Sequence, residues 1–244
     1  MDHLPFDFVD SVLHLQTQNA LGKLATLRSF QFWKNVTLTH RPKRTNYCLK
    51  VNLFKTQTRL EFKNHNCRRY VSIEEVLNTD FRYHRICCCQ IVNFSSDEFL
   101  DEAEGELCDM RQLQACMNLL PVQSLDLCTQ ACPNLALSDL FWKIPAETVV
   151  ALHSLSRDVL DYHLLENHRL RHFKVISRRK KVEFMWNVVE TWRTGKRVEP
   201  ERKSEEDLVS LGFKFQGFCF GTYTWQRQLS SMGRTATFAF HFQK

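Results

Sequence analysis

Glycine and proline are scarce in this sequence, with 7 and 6 copies in 244 residues. So few flexible positions argue against glycine-rich phosphate loops, and neither a GxGxxG fingerprint nor a Walker loop occurs. A GxSxG elbow and an HExxH helix are missing too, and no carboxylate pair or Cys–His set stands out as catalytic machinery. No apolar run reaches the roughly 18 residues that cross a bilayer as a helix. The opening MDHLPFDF has no basic stretch ahead of an apolar core, so no secretory leader is expected. A large charge excess is also absent. The net charge of +6 falls short of what a dedicated nucleic-acid binder carries. These absences predict an intracellular protein, cytoplasmic or nuclear, that is not an enzyme, needs no cofactor or metal and does not enter membranes.

What is present is a globular composition, 43% hydrophobic and 25% charged, with 19 phenylalanines. The 10 cysteines are read as reduced thiols acting as small buried hydrophobes. Adjacent Cys87, Cys88 and Cys89 fit this, since neighbours in sequence pair poorly.

The apolar spacing divides the chain. Residues 1–40 read as two helices, and Arg41-Pro42-Lys43-Arg44 marks a boundary. From Tyr47 the period becomes two, which predicts a strand through Leu53, with Thr58 to Phe62 as its neighbour. Ser72-Ile73-Glu74-Glu75 has capping-box spacing. Ile86 to Phe94 reads as a strand covered on both faces. An acidic helix is expected from Ser95. A second helix should carry Leu107, Met110, Leu113, Met117 and Leu120 and stop before Pro121. Val182, Met185, Trp186, Val189 and Trp192 form a helical stripe ending at Gly195. A charged loop, Lys196 to Asp207, precedes two strand-like runs, Phe213 to Phe220 and Thr235 to Phe242. The fold class is therefore mixed α/β: a helical module over 1–40 and a mixed α/β recognition domain over 41–244.

Within the second region an apolar-x-x-apolar-x-apolar pattern recurs: Val122-Leu125-Leu127, Leu137-Leu140-Trp142 and Leu170-Phe173-Val175. This is the strand signature of leucine-rich repeats, so short adjacent parallel strands are one expectation. The same region holds Cys128 and Cys132, then His168 and His172, whose spacing matches no standard zinc finger. They are read as thiols and surface histidines. A basic run, Arg169, Arg171, Lys174, Arg178, Arg179, Lys180 and Lys181, supports an alternative reading as a nucleic-acid-associated protein. Phe173 is its only aromatic, which leaves little for base stacking.

The amino-terminal stretch carries the sharpest signal. Leu4-Pro5 precedes Phe8, Val9, Val12 and Leu13, then Leu21, Leu24 and Leu27, closing on Trp33. This stretch resembles an F-box. It is similar to the abbreviated starts of nematode F-box-like families with an F-box-associated or leucine-rich-repeat-like carboxy-terminal region. The run EFMWNVVETWRTGK, from Glu183 to Lys196, resembles the same families. The resemblance implies an adaptor that selects substrates for a cullin–RING ubiquitin ligase. Leu4, Pro5, Phe8, Val9, Val12, Leu13, Leu24, Leu27 and Trp33 would contact the ligase's adaptor subunit, and the remainder would hold an unidentified protein target. A protein-binding scaffold with no ligase link is the third reading.

Overall fold

The computed structural model describes residues 5–16, 18–26, 31–54, 56–93, 105–128, 141–152, 155–177, 182–198, 205–210, 212–219, 222–231 and 233–243. Where the apolar period is about 3.6 the chain coils first. Helices α1 (Phe6–Leu15), α2 (Gln18–Ala25) and α3 (Gln31–Lys43) make three helices where two were expected. Pro42 lies inside α3, so the break expected at Arg41 comes at Arg44 instead. A proline in the last turn forfeits only the bond its amide would give, here to the carbonyl of exposed Leu38.

The period-two stretches then form strands: β1 (Thr45–Leu53), β2 (Thr58–Asn64) and β3 (Tyr70–Val71). Helix α4 (Ile73–Leu77) opens as its capping spacing predicts, the Ser72 hydroxyl accepting from the Glu75 amide at 3.0 Å. A 3-10 turn (Phe81–Tyr83) leads to β4 (His84–Asn93). The acidic segment from Ser95 lies outside the described residues. Leu107 falls in the two-residue β5 (Glu106–Leu107), not in the helix expected for it, because Asp109 caps α5 (Met110–Leu119) downstream. Next come β6 (Val122–Cys128), β7 (Ala146–Leu152), α6 (Arg157–Asp161) with a π-helical turn to Glu166, and β8 (His172–Ser177). The chain closes with α7 (Val182–Thr194), α8 (Glu205–Ser210), β9 (Lys214–Cys219), β10 (Thr222–Ser231) and β11 (Arg234–Gln243). Gly195, at φ 66°, ends α7 as its position predicts. Part of the expected loop 196–207 is α8, and β10 was not anticipated.

The described strands form one 11-stranded sheet in the order β3-β2-β1-β4-β6-β7-β8-β11-β10-β9, with β5 also on β2. Its centre is parallel: β1, β4, β6, β7, β8 and β11 lie side by side in chain order. Antiparallel neighbours flank both sides, β2 on β1 and β10 on β11. Successive parallel strands that always step the same way place their crossovers on one face of the sheet. The burial pattern agrees. Leu49, Cys89, Leu125, Val149, Phe173 and Phe238 form one buried row across the six strands. Val51, Ile91, Leu127, Ala151, Val175 and Phe240 form the next. Both rows share a core with Ile73 and Val76 of α4, Leu113 and Cys116 of α5, Val159 and Leu160 of α6, and Met185, Val189 and Trp192 of α7. In β11 Phe238 and Phe240 are core, and the Phe238 ring lies 5.5 Å from Trp192 and 6.0 Å from Phe173.

Two repeat matches lead into parallel strands of the same sheet, β6 and β8, with β7 between them. The middle one does not. Leu137 and Leu140 lie outside the described residues, and Trp142 is helical. The intervening strand instead uses Ala146, Val149 and Ala151, residues too small to register as a leucine pattern. With that substitution the interval becomes regular, Val122, Ala146 and Leu170 each following 24 residues after the last. In strand β4, Ile86, Cys89 and Ile91 are buried on the core face and Arg85 on the other, while Cys87, Cys88, Gln90 and Val92 are half-buried.

Candidate functional site: the amino-terminal helices and the open sheet face

The three amino-terminal helices have a core of their own. Val9, Leu13, Leu21 and Val36 are buried together, with Leu24, Phe32 and Trp33 packed against them. Polar links act inside this module and at its join to the sheet. The buried His40 Nε2 donates to the Asp10 carboxylate at 2.7 Å. Burial lowers the His40 pKa, against the opposing pull of Asp10. Arg44, where α3 gives way to β1, donates to the carbonyls of Leu13 and Gln16, both at 2.6 Å. A cation at a helix carboxy terminus satisfies carbonyls that have no partner within the helix. The His40 ring also packs on Tyr83 at 5.0 Å, bringing the turn before β4 against the module.

The structure sorts the expected contact residues into two sets. Val9 and Leu13 hold the module together from inside and have no surface to offer. Val12, Leu24 and Trp33 are half-buried, and Pro5 is exposed at the start of α1. Phe8 is 51% exposed, and Phe6, which the sequence reading passed over, is 49% exposed. The Phe6 ring meets Phe32 edge-on at 6.4 Å. Leu4 and Leu27 lie outside the described residues. Phe6 and Phe8 are two residues apart on a helix, so the rings point to different sides of α1, and each leaves half its apolar surface in water, the kind of surface that takes part in contacts.

A second surface is the face of the sheet opposite the core. Strand side chains alternate between faces, so Lys50, Gln90, Asp126, Val150 and Lys174 line up across β1, β4, β6, β7 and β8, facing away from the buried rows. All are half-buried or exposed. The face is closed where Asn52, Glu61 and Arg85 are buried, and it is accessible along the row from Lys50 to Lys174. The gaps between the apolar positions of the repeat pattern would have located it.

The basic run does not gather into one patch among the described residues. Arg169 leans toward Glu147 at 3.8 Å, Arg171 is exposed before β8, and Lys174 sits on the open face. Arg178, Arg179, Lys180 and Lys181 lie outside the described residues. His168 is in an exposed turn and His172 begins β8. Cys132 is not among the described residues, nor is the Cys128 side chain. A cavity of about 370 Å³ opens between Met117, Pro121, Ile144 and Arg169. Arg169 is the one charged residue in its described lining, which leaves no acid–base pair there. No helix among the described residues is long and apolar enough to cross a membrane. No family model, curated protein or solved structure matches this chain.

Proposed function

We propose that this chain is a protein-recognition adaptor. Its three-helix module docks on the adaptor subunit of a cullin–RING ubiquitin ligase, and its open sheet face holds the protein to be modified. The observation that carries the reading is the division of labour in α1. Val9 and Leu13 are spent on the module's own core, while Phe6 and Phe8 remain in contact with water. Phe6 meets the edge of Phe32 inside the module, and about half of Phe6 and of Phe8 is left for an apolar pocket of a partner. The parallel strands with a regular apolar interval fit a leucine-rich-repeat-like domain, whose uncovered face is a binding surface. No bond chemistry is required of such a protein. It raises the concentration of a target near the transferring enzyme.

The experiment is a binding titration of the purified chain against the ligase's adaptor subunit. The wild type binds, and Phe6→Asp with Phe8→Asp loses about 2 kcal/mol or more. A Lys50→Glu, Lys174→Glu variant keeps adaptor binding and loses target. Failure of the wild type to bind the adaptor subunit removes the ligase assignment.

A further inference from the structure

The parallel pairing of β1 with β4 slips at one point. Tyr47 faces Ile86, but Cys48 faces Cys88, so β4 carries one extra residue there, Cys87. A bulge of this kind re-aims a side chain that regular pleating would send elsewhere. Here it sets the Cys87 Sγ 3.7 Å from the Cys48 Sγ. A third group arrives from the turn after β2. The His65 amide donates to the Asn46 carbonyl at 2.8 Å, pinning the turn to β1. The Asn64 side-chain oxygen accepts from the amides of Asn66 and Cys67, and Arg68 closes the turn at φ 57°. So held, the His65 Nδ1 sits 3.4 Å from the Cys48 Sγ, and the three donor atoms all lie within 4.8 Å of one another.

We propose that Cys48, His65 and Cys87 form a binding site for a thiophilic cation of the zinc type, with three protein ligands and a fourth position open to solvent. Zinc bonds of about 2.3 Å to sulfur and 2.0–2.1 Å to nitrogen, set at tetrahedral angles, separate two sulfurs by about 3.8 Å and a sulfur from a nitrogen by about 3.6 Å. Two of the three edges, at 3.7 and 3.4 Å, already have those lengths, and the third, from the Cys87 Sγ to the His65 ring, is within 4.8 Å and closes by a turn of the exposed imidazole. Two thiolates and an imidazole favour zinc over magnesium or calcium, which take oxygen. The exposed His65 supplies the way in, and the half-buried sulfurs limit competing water. Without a cation the Cys87 thiol is protonated, burial and the neighbouring Cys48 pushing it up to about 12. On binding, two thiol protons leave to solvent and two sulfur–metal bonds form. The site lies on β1, β4 and the turn after β2, so it stands or falls independently of Phe6 and Phe8.

The test uses the full chain, reduced and stripped with a chelator, titrated with cobalt(II) and then with zinc. One equivalent of cobalt should give tetrahedral ligand-field bands and a thiolate charge-transfer band, both abolished by zinc. Cys48→Ser and Cys87→Ser should each weaken binding roughly 100-fold, and His65→Ala roughly 10-fold or more. Cys108→Ser should leave it unchanged. Circular dichroism of the metal-free variants reports their fold. Should a cysteine variant fail to fold, His65→Ala, on an exposed turn, decides alone. An octahedral cobalt spectrum, or a tetrahedral one that survives His65→Ala or the double cysteine variant at full affinity, overturns the site.

Discussion

His163 is the residue whose environment makes the sharpest demand. Its Nε2 donates to the Trp142 carbonyl at 2.7 Å, and its Nδ1 accepts from the Asn167 amide at 3.4 Å. The second contact requires a neutral ring. Asn167 in turn donates to the Ala146 carbonyl at 2.9 Å, joining the π-helical turn after α6 to the first residue of β7. Burial lowers the His163 pKa to about 4, against the opposing effect of the Trp142 carbonyl. Between the unfolded value of about 6.5 and this one the unfolded chain takes up a proton that the native chain refuses. Stability is therefore full above about pH 6.5 and falls as pH drops toward 4, by on the order of 3 kcal/mol. Urea titrations of the wild type at pH 7 and 4.5 should show this loss, and His163→Gln should show a much smaller pH dependence. Nothing in the sequence marked His163 out, since the Trp142 carbonyl and the burial that shift it are brought close only by the fold.

Elements with local rules were legible, and those that depend on distant partners were not. The Ser72 cap, the α5 stop at Pro121 and the glycine after α7 each follow from residues a few positions apart. Gly105 is different. It holds φ 108°, and a Cβ added there would meet the Leu60 carbonyl of β2, where β5 pairs. Both the backbone conformation and the space call for glycine. Gly105→Ala should lower stability by about 1–3 kcal/mol, measured by chemical denaturation, and loosen β5 from β2. Strand β7 was missed because small residues, Ala146 and Ala151, take the positions that Val122 and Leu127 hold in β6. Their neighbours in adjacent strands are large, so the row packs even though the local pattern is faint.

At the scale of the molecule the described residues form two separate buried clusters, a small one in α1–α3 and a large one between the sheet and its helices. They are joined where Arg44, just before β1, donates to the end of α1 and where the His40 ring packs on Tyr83. Regions with few buried apolar contacts open at lower free energy than a large core. Leu13→Ala, which empties the centre of the small cluster, costs ~2–5 kcal/mol locally. Hydrogen exchange of that variant should lose protection in α1–α3 while β4, β6 and β8 keep theirs. Equal loss in both regions would mean that they unfold as one unit. The sequence by itself determined that the amino-terminal residues coil, that period-two and short apolar runs pair as strands, and that the class is mixed α/β. Those outcomes depend on periodicity and capping, which act within a few residues. Only the tertiary structure decided which apolar side chains turn inward, sending Val9 and Leu13 into a core and leaving Phe6 and Phe8 outside. It likewise decided that a slipped register would bring Cys87, Cys48 and His65 together, because burial and register are settled by surfaces far apart in the chain.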